Sequence, residues 1–160
     1  MNPTDLPPAA LYLDDLHVGQ RFISGHISIS AEEIKAFAAQ FDPQVFHLDE
    51  KLAKETFFDG LAASGWHTAA VTMRLIVSSV PIAGGVIGAS VELSWPAPAR
   101  PNDVLHVESE IVEIIPSRSR PDRGIVVARS ETRANGDRLV QRLTSKLVVH
   151  RRPVQVSSQD

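Results

Sequence analysis

Asp42 and His47 stand five residues apart in the stretch FDPQVFHLDEKLAKETFFDGLAASGWH, which runs from Phe41 to His67. A carboxylate and an imidazole held close together can exchange protons with a bound water or substrate. The same stretch contains a small-residue turn, Ala62-Ala63-Ser64-Gly65, that leads into a long apolar segment. A glycine turn that opens a helix offers free backbone N–H groups to a developing negative charge. Each residue also has a plainer use. Asp42 suits a helix exit where it satisfies its own backbone, His47 a packed imidazole, and Ser64 an N-cap with Gly65 easing the turn. Chemistry requires the rest of the chain to bring the two halves together.

The elements that must do so are legible in the pattern. Asp15 to Gln20 reads as a turn into a strand over Arg21 to Ser30, marked by Phe22, Ile27 and Ile29. Ser30 and Glu33 form a capping box. It opens a helix with Ile34, Phe37, Ala38 and Phe41 at i, i+3, i+4, i+7. Pro43 disfavours the α conformation at Asp42, so the helix ends there and leaves Asp42 in irregular backbone. A short helix is expected over Asp49 to Lys54. Ser64 to Val80 is apolar around most of its circumference, which predicts a helix buried on most sides and stopped by Pro81. The second half is β-rich. Ile87, Ala89, Val91, Leu93 and Trp95 alternate with small or polar residues, and further strands are expected over Val104 to Ile115, Ile125 to Arg133 and Leu139 to Val149. Asn135-Gly136 signals a type I′ hairpin. Short turns imply an antiparallel sheet. A five-stranded sheet that wraps the apolar helix buries both, and its open edge favours dimerisation.

Bulk properties narrow the class. The chain has 160 residues, enough for one domain with a full core, and 43% apolar with 22% charged residues is a globular composition. A net charge of -3 offers no basic footprint for nucleic acid. The absence of cysteine excludes disulfides, thiolate metal sites and cysteine nucleophiles. The six histidines, at 17, 26, 47, 67, 106 and 150, show no ligand spacing, so no metal is expected. Residues 1 to 12 are Pro-rich and, like the tail from Arg151, are expected to be loosely ordered. The first residues lack a basic start and an apolar core, and the apolar run from Thr68 to Val80 is too short to span a bilayer. These features predict a cytoplasmic protein with no membrane partner.

Motifs and element order together resemble the MaoC-like acyl dehydratases, which have the hotdog fold. The resemblance covers about Leu16 to His150. It is carried by FDPQVFHLDE at Phe41 to Glu50, ASGWHT at Ala63 to Thr68, and SWPAPARPND at Ser94 to Asp103. The family's first motif is usually Asp-x-Asn-Pro-x-His. The spacing of Asp42 to His47 fits it, while Gln44 stands in the usual Asn position and Val45 in the usual Pro position. Many members have His-Gly where this chain has Ser64-Gly65.

The resemblance implies an α+β hotdog domain over 1–160, with its structured core at about 13–150 and an antiparallel sheet of five or more strands around a long central helix. It implies hydration of a trans-2-enoyl thioester, or the reverse dehydration, with R stereochemistry. That reaction needs a water deprotonated as it attacks C3, a proton for C2, and a stabilised thioester oxygen. On this reading His47 is the main base, and Asp42 orients the water and shares the proton transfer. Gln44 holds the water or positions Asp42, and the Gly65 amide binds the enolate oxygen. Ser64 and Trp66 border the substrate, although Trp66 also suits a core position, and His67 is a further candidate for the pocket wall. The expected partners are an acyl-CoA or acyl-carrier-protein thioester and a second copy, as a homodimer or dimer of dimers. No cofactor is expected. Arg100, Arg118, Arg120 and Arg123 are candidates for the CoA phosphates, and a solvated charged loop is the alternative for them. Two rival functions belong to other classes. A hotdog thioesterase would use a carboxylate on the central helix, and there is no Asp or Glu from Gly65 through Val80. A non-catalytic acyl-CoA-binding protein would tolerate the changes at Gln44 and Val45.

Overall fold

The structure, a computed structural model, describes residues 9–154. Helix α1 (Ala31–Phe41) starts at the capping box that the sequence announces. Ser30 Oγ accepts from the Glu33 N–H at 3.1 Å, and a Glu33 carboxylate oxygen accepts from the Ser30 N–H at 2.7 Å. The helix buries Ile34 and Ala38, leaves Phe41 exposed, and ends with Asp42 as its C-cap. The chain then turns into a short helix, α2 (Val45–Leu48), which begins before the stretch expected to be helical. Asp49 is the reason the expected helix over Asp49 to Lys54 does not form. Its Oδ1 accepts from the N–H groups of Lys51 and Leu52, both at 2.9 Å, which closes a side-chain turn instead. A 3-10 turn over Leu52–Glu55 follows. Helix α3 (Gly65–Ser79) is the long apolar element.

The strand expected over Arg21 to Ser30 is two pieces, β1 (Arg21–Ile23) and β2 (Ile27–Ser28). Ser24 breaks it. Its hydroxyl takes the Val107 N–H at 2.8 Å while its own N–H bonds the Val107 carbonyl at 2.9 Å, so a side chain replaces a backbone acceptor in the ladder. The remaining strands are β3 (Ile87–Ser94), β4 (Val104–Pro116), β5 (Arg123–Ala134) and β6 (Arg138–His150). All pair antiparallel in the order β1-β4-β5-β6-β3, with β2 also on β4. Asn135 and Gly136 at the β5–β6 turn have φ of 53° and 93°, the left-handed pair that the dipeptide predicts. The strands β3 and β4 are sequential but not neighbours. β3 lies at the far edge, and residues 95–103 carry the chain back across the end of the sheet.

The sheet wraps α3 in the hotdog arrangement. Leu75 and Ile76 of the helix enter a core with Leu105, Val107, Ile111, Val126 and Leu147, and Thr72 bonds Thr132 of β5 hydroxyl to hydroxyl at 2.6 Å. Two expectations change here. The alternation of β3 slips at a bulge between Gly88 and Ser90, so Gly88, Val91 and Leu93 pair with the inward-facing Leu147, Ser145 and Leu143, and Ile87 does not. The helix α3 is also not buried on most sides, since Trp66, Met73 and Val77 form an exposed apolar stripe.

The chain ends within the described residues are not loose. Leu11 bridges Ile82, Arg151 and Arg152 pair with Asp14 and Asp15, and the Arg152 guanidinium lies 4.6 Å from the Tyr12 ring centroid. The rest of the segments expected to fray, 1–8 and 155–160, lie outside the described residues. At the opposite end of the sheet, buried Asp103 accepts from the Arg100 N–H at 2.7 Å, the Asn135 amide at 2.9 Å and the Arg138 guanidinium. This carboxylate ties the 95–103 segment to the β5–β6 turn. Asp103→Ala removes the shared acceptor of the Arg100 N–H, the Asn135 amide and the solvent-facing Arg138, and is expected to cost about 1–3 kcal/mol, measured as a fall in urea midpoint. A loss below 1 kcal/mol would show that the junction does not depend on this carboxylate.

Candidate active site

Three helix ends meet at one place. Asp42 closes α1, His47 sits on the single turn of α2, and Ser64 with Gly65 opens α3. The Phe46 carbonyl accepts from the Ala62 N–H at 3.0 Å, and the Ala99 carbonyl accepts from the Ala63 N–H at 2.8 Å. These bonds pin the small-residue turn between α2 and the 95–103 segment. Arg100 adds a clamp, donating to the carbonyls of Phe58, Gly60 and Leu61. Through Nη1 and Nη2 it holds this loop in place, a structural role beside the one expected toward the CoA phosphates. Arg118, Arg120 and Arg123 lie at the β4–β5 turn, the opposite end of those strands from the helix junction, and Arg123 pairs with Asp122.

The Asp42 carboxylate is the hub. Its Oδ2 lies 3.2 Å from His47 Nε2 and accepts from the Ser64 hydroxyl at 2.7 Å, and its Oδ1 accepts from the Gln44 amide at 2.6 Å. Burial raises the Asp42 pKa, but the hydrogen bonds from Ser64 and Gln44 and the adjacent imidazole outweigh it, so the carboxyl is held below its ordinary value. His47 is almost fully buried, and its Nδ1 lies 2.6 Å from the Ala62 carbonyl. A carbonyl only accepts, so Nδ1 carries a hydrogen, and Nε2 is the ring nitrogen that faces Asp42. Nε2 and the carboxylate, 3.2 Å apart, can share one proton or grip one water.

Gln44 caps α2 through its backbone while its side chain grips Asp42. Val45 is the first helical residue, a position where proline is tolerated because the N–H has no intrahelical partner. The two departures from the Asp-x-Asn-Pro-x-His pattern therefore preserve the local geometry. Val45→Pro is expected to raise stability by about 0.4–1 kcal/mol through the unfolded chain; a lowered melting temperature would contradict that account of position 45. Ser64 is fully buried and has two bonds, accepting from the Trp66 N–H at 3.3 Å as N-cap and donating to Asp42.

The junction opens into a cavity of about 530 Å³ lined by Asp42, Gln44, His47, Gly65, Trp66 and Trp95, together with Phe46, Phe57, Phe58, Thr68 and the segment 96–99. The Gly65 amide, a first-turn donor that the helix leaves free, belongs to the same cavity. Trp66 is exposed at the rim rather than core, edge-to-face with Trp95 at 5.4 Å. His67 turns away from the cavity. It stacks on Phe37 of α1 at 4.7 Å, and burial lowers its pKa against the opposing pull of Glu33. The structure thus brings together Asp42, Gln44, His47, Ser64, Gly65 and Trp66. Sequence reasoning missed the Phe46, Phe57, Phe58 and Trp95 walls. Trp95 stands inside a motif already singled out, but nothing local directs its ring toward Gly65.

Ser64→Ala removes both a cap and a donor to the charged carboxylate. The cap loss is expected to cost about 0.5–2 kcal/mol. The Asp42 pKa should rise, since the missing bond favoured the ionised form. Because the folded value lies below the unfolded one, ionised Asp42 contributes stability above the unfolded-state pKa and loses it as pH falls through the folded value. In Ser64→Ala that loss should be smaller and complete at higher pH, so the stability gap between variant and parent should narrow on acidification, which urea unfolding followed by circular dichroism at neutral and acid pH would detect. A gap that stays the same from neutral to acid pH would contradict it. Among the described residues no group of three or more His, Asp or Glu side chains is placed to hold a metal ion, and no helix is long and apolar enough to cross a membrane.

Comparison with known proteins agrees with this architecture. A family model described as a MaoC like domain matches residues 17–134. A 3-hydroxybutyryl-CoA dehydratase of Methylorubrum extorquens is 34% identical over 111 residues, 69% of each chain. The uncharacterized protein YdeM of Bacillus subtilis is 30% identical over 109 residues, 67% of this chain and 77% of the relative. The crystal structure of a MaoC-like dehydratase from Rhodospirillum rubrum is 57% identical, with a TM-score of 0.89 over 91% of this chain and 100% of that one.

Proposed function

The chain belongs to the MaoC-like hydratase and dehydratase family, and from that premise we propose that it adds water to, or removes it from, a 2-enoyl thioester by Asp42–His47 acid–base catalysis. The observation that carries the reading is the convergence of an ionised carboxylate, an imidazole of defined tautomer and a free helix N-terminal amide on one cavity.

The thioester oxygen accepts from the Gly65 N–H, where the end of α3 favours negative charge. A water between Asp42 and His47 attacks C3. Its proton passes to His47 Nε2, the C2–C3 double-bond electrons move to C2 and the thioester oxygen, and the enolate carries the charge. The proton then returns from the Asp42–His47 pair to C2, which restores both groups. Asp42 beside Nε2 stabilises the imidazolium in between. Gln44 and Ser64 hold the carboxylate in place throughout.

The acyl tail follows α3 toward a narrow apolar recess between helix and sheet, lined by Met73, Ile76, Ile111 and Leu147 among others. A second copy covers the exposed stripe of α3 and the open edge of β3, where Val91 and Trp95 are exposed.

The test is spectrophotometric. Crotonyl-CoA and longer 2-enoyl-CoA thioesters should lose enoyl absorbance on adding the protein, and the product should be the 3-hydroxyacyl thioester. No turnover across a broad acyl panel would overturn the enzyme reading and favour an acyl-thioester-binding role. Release of free CoA without hydration would favour the thioesterase.

A further inference from the structure

We propose that Trp95 is a positioning residue that clamps the Gly65 peptide, and that buried Gln141 fixes the clamp. The inference deepens the hydratase reading and rests on it.

Three observations carry it. A Cβ added at Gly65 would lie 2.7–2.9 Å from three atoms of the Trp95 indole, so the ring lies directly on Gly65 with no room for a side chain. The indole N–H donates to Gln141 Oε1 at 2.9 Å. Gln141, on β6, is fully buried, and its amide nitrogen has no hydrogen-bond partner among the described residues. An apolar side chain at 141 would avoid stranding a buried donor. The amide is therefore poor for stability and useful for one thing, the orientation of Trp95.

Glycine is the freest residue in backbone rotation, so an oxyanion donor placed on glycine needs an external restraint. The indole supplies it from one side, and Trp66 meets that indole edge-on. Gln141 is not among the cavity-lining residues, whereas Trp95 is. A change at 141 thus reaches the reaction only through the ring.

The measurement is steady-state hydration of crotonyl-CoA by the full chain and by Gln141→Leu, Trp95→Phe and the double variant. Trp95→Phe keeps a ring and loses the N–H. Each single variant should lower kcat by about ten- to a hundredfold while KM stays within about twofold. The double variant should be no worse than the poorer single one, because both act through the same contact. Gln141→Leu should melt no lower than the parent. The chain has two tryptophans, Trp66 and Trp95, so in Trp66→Phe the emission reports Trp95 alone and should shift when Gln141→Leu is added. Full kcat in Gln141→Leu, or losses that multiply in the double variant, would overturn the clamp while leaving the hydratase reading intact. Absence of turnover in the parent chain across the broad 2-enoyl-CoA panel would overturn both.

Discussion

Asp42→Asn should lower enoyl-thioester turnover by about 10²–10⁴-fold, the range of a lost general acid–base contribution, with the fold retained. The geometry explains why the two effects separate. An asparagine can keep its oxygen toward the Gln44 amide, which now lies 2.6 Å from Oδ1. Its nitrogen then faces the Ser64 hydroxyl and the Nε2 lone pair of His47, both of which can accept. Every local bond is replaceable, so melting should change little. The chemistry is not replaceable, since the new N–H occupies the lone pair that would receive the water's proton and the charge that stabilises the imidazolium is gone. His47→Gln should cost a comparable factor, and the double variant should cost little more than the worse single one, as expected for groups acting as a unit. The check is single-turnover and steady-state kinetics beside thermal melts. Turnover within tenfold of the parent in both variants would move the proton chemistry elsewhere.

Gly65→Ala should have a double effect. The new methyl meets the Trp95 ring at 2.7–2.9 Å, so helix or ring must move, and overpacking of this kind costs about 1–3 kcal/mol. Displacing the amide should also reduce kcat by about 10²–10³-fold, the scale of one lost oxyanion donor. Adding Trp95→Ala separates the two. It opens the space and should restore most of the melting temperature, but it also removes the restraint on the peptide, so turnover should stay low. Recovery of turnover along with stability would mean that Gly65 contributes room rather than a donor. Calorimetry and crotonyl-CoA hydration on the four proteins decide between these outcomes.

How much of this could be read from the chain depends on the range of each interaction. The start of α1 was legible because Ser30 and Glu33 satisfy each other within one turn, and its end because Pro43 acts on its neighbour. The β5–β6 turn was legible because Asn135 and Gly136 accept left-handed backbone on their own account. Errors arose where a side chain intervened in the backbone ladder. Ser24 broke the first strand by bonding Val107, far away in sequence, and the side-chain turn closed by Asp49 replaced the expected short helix. The bulge in β3 was invisible because register is decided by the partner strand, not by the alternation of the strand itself.

The candidate site divides along the same line. The sequence by itself determined the spacing of Asp42 and His47, the glycine at the mouth of α3, and the family to which their pattern belongs. Only the tertiary structure decided that Ser64 reaches back 22 residues to Asp42, that Ala62 sets the His47 tautomer, and that Gln141 reaches 46 residues to aim Trp95 at Gly65. Local steric and capping rules act over a turn and are written in the order of residues. Contacts across dozens of residues exist only once the sheet has closed around α3, because burial brings such groups within hydrogen-bond reach and excludes the water that would otherwise satisfy them.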